Sequence, residues 1–176
     1  MARRFCLPSW RRWADRSRTA GVPILDIDSD GFIGELIPLW IEAGLNCCDP
    51  IEVAAGCDLN DFRRRFGRSM AYQGGIDKRA MAKGGPVIRR EIDRLRPVIR
   101  DGGYIPGCDH GVPPDIPLRT FLYMVELLKG FADGEDIDTY EPPCELEKQL
   151  GPIEEMFDPR KAIAQAYAMG DEMGES

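Results

Sequence analysis

A chain of 176 residues, 43% hydrophobic and 30% charged, has the composition of a globular domain with its own core. Its net charge of −7 is uneven, because residues 131–176 hold 3 Lys or Arg against 13 Asp or Glu while the rest is slightly basic. An acidic chain argues against nucleic acid as a partner, and no apolar run approaches the roughly 20 residues of a membrane helix.

At the N-terminus Arg3, Arg4, Arg11, Arg12, Arg16 and Arg18 would suit a transit peptide. Phe5, Trp10, Trp13 and Ser17, however, space like one face of an ordinary helix, and no apolar leader is visible. The expectation is a cytoplasmic protein with reduced thiols at Cys6, Cys47, Cys48, Cys57, Cys108 and Cys144. None of them forms the C-x-x-C pair of a structural zinc site, and a disulfide framework is the alternative.

Four times a short apolar run leads through a polar or Gly-rich turn into a helical stretch. The first run is Pro23 to Asp28, followed by Ser29-Asp30-Gly31. Ile33, Leu36, Ile37, Trp40 and Ile41 then mark one helix face, and Gly44 stands where a helix C-terminal glycine belongs. The second run is Cys47 to Val53, with Asp58 as the N-cap of a helix that turns Leu59, Phe62 and Phe66 inward. The third is Met70 to Gln73, then Gly74-Gly75-Ile76-Asp77. Its helix begins at Pro86 and buries Ile88, Ile92, Leu95 and Ile99. The fourth is Gly103 to Ile105, with a loop to Pro117 and a helix burying Leu118, Phe121, Leu122, Val125 and Leu128. This spacing predicts parallel βα units, in an open doubly wound sheet or half of an eight-stranded barrel. No Gly-x-Gly-x-x-Gly follows a strand, so dinucleotide binding has no support. Residues 1–132 form the predicted body and residues 133–176 an acidic, partly helical tail, with Ile153, Met156, Phe157, Ile163 and Tyr167 as an apolar stripe.

Reactive groups in such folds sit past the strand C-termini. The candidates there are Asp28 and Asp30, Glu52, Gln73, Gly75 and Asp77, and Asp109, His110 and Asp115. His110 is the only histidine, in a loop stiffened by glycine and proline, and imidazole titrates near neutral pH. It reads equally as a surface histidine bonded to Asp109 or Asp115. Asp28-Ser29-Asp30-Gly31 could bind a hard cation, or could be an Asx turn capping the next helix, and Asp77 could be a cap as well.

Several segments carry a resemblance. Gln73-Gly74-Gly75-Ile76-Asp77 resembles the Q-G-x-x-D segment of the uroporphyrinogen decarboxylase superfamily, and His110-Gly111 through Pro114-Asp115 and Pro117 resembles its H-G-x-x-P-D-x-x-P segment. Asp30-Gly31 matches a D-G after that family's fifth strand, and Phe5 with Leu7-Pro8 resembles the helix before it. The resemblance implies the C-terminal half, (βα)4, of a (β/α)8 TIM barrel, extended by the acidic tail. The family's N-terminal half, with its carboxylate-binding arginines and central aspartate, has no counterpart here. The chain is therefore expected to self-associate, to pair with a separate N-terminal half-barrel, or to be an inactive fragment or interaction subunit.

Two chemistries follow from the resemblance. One is cofactor-free decarboxylation of porphyrinogen acetate side chains in tetrapyrrole biosynthesis. Its catalytic residues would be His110, Asp30 and Asp77, with Asp28, Glu52, Gln73, Gly75 and Asp109 binding substrate. The other is methyl transfer from a small methyl donor to a corrinoid protein, with zinc on Asp28, Asp30 and His110. Thiolates suited to that site are missing, and Cys108 lies two residues away.

Overall fold

A computed structural model describes residues 1–142 of the chain. The expectations for Cys144 and for the stripe from Ile153 to Tyr167 lie outside the described residues. The fold is α/β. Two N-terminal helices, α1 (Ala2–Phe5) and α2 (Leu7–Thr19), precede β1 (Asp26–Asp28), α3 (Ile37–Ala43), β2 (Cys47–Asp49), a 3-10 turn (Val53–Ala55), α4 (Leu59–Phe66) and β3 (Ala71–Ile76). Then come α5 (Lys78–Met81), α6 (Gly85–Asp101), β4 (Tyr104–Cys108) and α7 (Leu118–Ala132). The four strands form one parallel sheet in the order β1-β2-β3-β4. Among the described residues the order shows no reversal of the kind that divides a doubly wound sheet. No described helix is long and apolar enough to cross a membrane.

Contacts gather the described residues into two compact units, one of residues 1–80 and 90–112, the other of residues 81–89 and 113–142. The first contains the whole sheet. Ile27, Cys48, Tyr72 and Tyr104 lie in register across its four strands. Tyr72 is buried beside Phe62 of α4, with ring centroids 6.3 Å apart, so this row faces the helices. Phe62 also meets Phe32 and Phe66, and it anchors a core that includes Leu25, Ile37, Trp40, Leu59 and Ile92. Strand alternation turns Asp28, paired with Asp49, and Gln73, paired with Ile105, to the opposite face.

Several elements differ from their expected bounds. β2 stops at Asp49, and Glu52 stands before the 3-10 turn instead of ending the strand. β3 runs on through Gly74 and Gly75 to Ile76, and β4 through Pro106 and Gly107 to Cys108, because five consecutive residue pairs hold them together. Turn-forming glycines had marked those stretches as loops. In α2 the inward stripe is Leu7, Trp10, Ala14 and Ser17, while Phe5 and Trp13 are exposed. Trp10 sets its ring edge-on to Trp40 at 6.3 Å, which fixes the rotation of the helix. Asp58 caps α4 as expected, accepting the Asn60 N–H at 2.9 Å, and Gly44 takes the left-handed conformation after α3.

In the second unit α7 buries Met124, Leu127, Gly130 and Phe131, not the expected stripe beginning at Leu118, which is exposed. Residues 133–142 fold back here. Ile137 is buried, the Tyr140 ring lies against Gly130, and the Arg89 guanidinium donates to the Ile137 and Tyr140 carbonyls and to the Tyr123 hydroxyl.

Candidate active site

The C-terminal ends of the strands surround a cavity of about 320 Å3, lined by Asp28, Asp30, Asp49, Pro50, Gln73, Gly74, Cys108, His110 and Gly111. Its polar lining is three carboxylates, one amide and one imidazole, with no Arg or Lys. Gly74 is what allows the close approach of strand and loop. It holds φ +92°, and a Cβ on it would stand 2.1 Å from the Pro50 carbonyl oxygen. The Tyr104 hydroxyl donates to the Gly74 carbonyl at 2.6 Å and fixes that peptide from behind.

His110 sits at the rim, half-exposed. The Gly111 N–H donates to its Nδ1 at 2.7 Å, and its Nε2 faces Asp30 Oδ1 at 3.4 Å. An Nδ1 that accepts a hydrogen bond places the proton of neutral imidazole on Nε2, toward Asp30 and the cavity. Neither Asp109 nor Asp115 is its partner.

Asp49 is the acid that sequence reading missed. The visible signal was its place at the end of the apolar Cys47-Cys48 run, but extending that strand to Val53 moved attention to Glu52. Burial raises the proton affinity of the Asp49 carboxyl, and the neighbouring charges of Asp26 and Asp28 and a hydrogen bond with Asp26 add to this. Its Oδ1 is buried without a hydrogen bond.

The remaining candidates stand behind the lining. Asp109 is fully buried, with Oδ2 accepting the Val53 N–H at 2.9 Å and Oδ1 the Lys78 N–H at 3.0 Å. Glu52 accepts the Gly31 N–H at 3.0 Å and the Lys78 ammonium at 3.2 Å, and these bonds hold its carboxyl below the usual range. Asp77 caps α5 through the Arg79 N–H at 2.8 Å and grips the Arg79 guanidinium. Burial raises the proton affinity of Asp77, and Arg79 more than offsets it, so this carboxyl too lies low. Gly75 is packed against Leu59, whose Cδ1 would be 2.3 Å from a Cβ there.

Among the described residues no three His, Cys, Asp or Glu side chains converge to hold a metal ion, Asp28, Asp30 and His110 included. Burial, helped by Asp26, pushes Cys47 up to about 12, and burial also raises Cys48, Cys57 and Cys108, so all stay protonated near neutral pH.

Fold and site together define a parallel α/β protein with an acidic, histidine-bearing pocket at the strand C-termini. The family described as uroporphyrinogen decarboxylase (URO-D) matches residues 1–131, and the chain belongs to that family. It is similar to "Uroporphyrinogen decarboxylase" of Legionella pneumophila (strain Paris), 30% identical over 106 residues, 60% of this chain and 29% of that protein. The protein of the same name from Ruthia magnifica subsp. Calyptogena magnifica is 26% identical over 112 residues, 57% of this chain and 32% of its own length. That of Edwardsiella ictaluri is 32% identical over 80 residues, 44% of this chain and 23% of that protein. The chain thus spans about a third or less of the curated relatives it matches. No solved structure matches it.

Proposed function

We propose that this chain supplies the second half, (βα)4, of a (β/α)8 barrel that removes carboxyl groups from the acetate side chains of a porphyrinogen. The observation that carries the reading is His110 at the strand C-termini, its Nε2 turned toward Asp30 at the rim of a pocket floored by Asp28 and Asp49. The unbroken order β1-β2-β3-β4 is the order a barrel segment requires.

The chemistry suits an acidic lining. A proton delivered to the ring carbon beside the acetate arm leaves the pyrrole positive. The electrons of the C–CO2 bond then flow into that ring as CO2 departs, leaving an exocyclic methylene. A proton added to the methylene carbon and one lost from the ring restore the pyrrole, so each turn consumes one proton and releases one CO2. The ring is the electron sink, and the step needs no cofactor. Carboxylates at Asp28, Asp30 and Asp49 stabilise the ring cation and accept pyrrole N–H bonds. In its imidazolium form, which frees Nδ1 from the Gly111 N–H, His110 serves as the general acid through Nε2. The lining holds no cation for the substrate's own carboxylates. Those cations belong to the covering half of the barrel.

The test is the assembly purified from its native cells through a tag on this chain, assayed for CO2 release from a porphyrinogen. Decarboxylation that falls about 10²–10⁴-fold in His110→Ala, with folding intact, is the expected result. An assembly that leaves porphyrinogens untouched, or a His110→Ala assembly of full activity, refutes the proposal.

A further inference from the structure

We infer that Asp109 is the positioning residue of this site, the clamp through which four strand-end loops hold His110 in place. The inference rests on the reading of His110 as the group that meets substrate. Asp109 is the one fully buried charged side chain among the described residues. Such a charge is tolerated only when hydrogen bonds replace its lost water. Here two elements supply the bonds to its carboxylate, and its backbone ties to a third. Oδ2 takes the Val53 N–H of the loop after β2, Oδ1 takes the Lys78 N–H at the start of α5, and its own N–H donates to the Ile76 carbonyl of β3 at 2.9 Å. Lys78 then reaches Glu52 through Nζ, and Glu52 holds the Gly31 N–H of the loop after β1. Asp30, beside Gly31, faces His110 Nε2, and His110 follows Asp109 in the chain. The contacts therefore close a ring: Asp109, Lys78, Glu52, Gly31, Asp30, His110.

Nothing in this ring uses Asp109 to touch the cavity. Both of its oxygens are occupied by backbone N–H groups from different loops, which fixes the spacing of those loops and the direction in which the chain leaves β4. Asparagine has the same shape but one acceptor oxygen, so in Asp109→Asn one N–H, at Val53 or Lys78, must face an amide NH2. The clamp opens on one side, and the His110–Asp30 juxtaposition is lost.

His110 is the only histidine, so its ring gives one unambiguous set of nitrogen–proton cross-peaks in the full chain. The experiment measures, at one fixed pH, how far Asp30→Asn moves those peaks in the native background and in the Asp109→Asn background. The native background should show a clear shift, and the Asp109→Asn background should lose it. A core variant, Phe62→Leu, that lowers the melting temperature by a similar amount should keep the shift, which separates positioning from general loosening. If Asp109→Asn does not fold, Glu52→Gln opens the same ring at a half-exposed position and takes its place in the comparison. A shift that persists in the opened backgrounds, or vanishes equally in Phe62→Leu, overturns the assignment. The readout contains no substrate, so an assembly without decarboxylase activity would refute the proposed function and leave this inference standing or falling on its own result.

Discussion

Replacing Gly74 by alanine tests how tightly the pocket floor is built. Gly74 lies inside β3 at φ +92°, where a side chain costs about 1–2 kcal/mol of backbone strain. A Cβ would also stand 2.1 Å from the Pro50 oxygen, 2.9 Å from the Pro50 carbonyl carbon and 3.0 Å from the Cys108 oxygen. All three are backbone atoms, so relief requires moving the loop after β2 or the edge of β4. Moving the loop breaks the bond from the Gly75 N–H to the Pro50 carbonyl, 3.0 Å long, and strands the N–H of the buried Gly75 at a cost of about 1–3 kcal/mol. Together the loss is about 2–5 kcal/mol, a large share of the 5–15 kcal/mol that typically holds a domain. Two other glycines calibrate it. Gly31 has φ +79° with nothing within 4 Å, so Gly31→Ala carries the strain alone, about 1–2 kcal/mol. Gly111 has neither strain nor neighbours, and Gly111→Ala should stay within about 0.5 kcal/mol of the native chain. Urea titrations followed by circular dichroism give the three differences from shifts in midpoint at constant slope. A Gly74→Ala variant no less stable than Gly31→Ala would refute the argument from close approach.

Two further outcomes follow from charged contacts. The Glu52 carboxyl is held below its ordinary value of 4.5, so its stabilisation is present above that pH and is lost as pH falls through the lower folded-state value. Glu52→Gln should flatten the acid limb of stability against pH, measured as urea midpoints, and equal acid slopes in the two proteins would contradict the Gly31 and Lys78 bonds. In the second unit, Arg89→Ala removes the donor to the Ile137 and Tyr140 carbonyls, a loss of about 1.5–3 kcal/mol that should make amides 135–140 exchange roughly ten- to a hundredfold faster. Unchanged exchange there would mean that the strap is held by Ile137 and Tyr140 alone.

The run–turn–helix pattern made the four βα units legible, and Asp28, Asp30 and His110, which follow the runs, line one cavity at the strand C-termini. Strand lengths were not legible. Gly74 and Gly75 look like a turn in isolation, and only pairing with Gly107 and its neighbours makes them strand. Nor was the division of labour among the acids. Asp28 and Asp109 both follow a strand run, yet one lines the cavity and the other is sealed behind it, and that depends on which backbone N–H groups reach each carboxylate. The outward turn of Leu118 and Trp13 had the same origin, since periodicity locates a stripe but not the neighbour that selects among adjacent ones.

The pairing of Asp28 with Asp49 on adjacent strands, with Asp26 on the same face, has a consequence for how this sheet responds to its solution. Like charges set side by side on one face oppose folding. Ions shorten the reach of that repulsion to about 8 Å at physiological strength and further at higher concentration. Added salt should therefore relieve this face at neutral pH, the reverse of its effect on the chain's ion pairs such as Lys78–Glu52. Any cationic face laid over these aspartates does the same by contact, so closing the site and completing the stability of the sheet become one event.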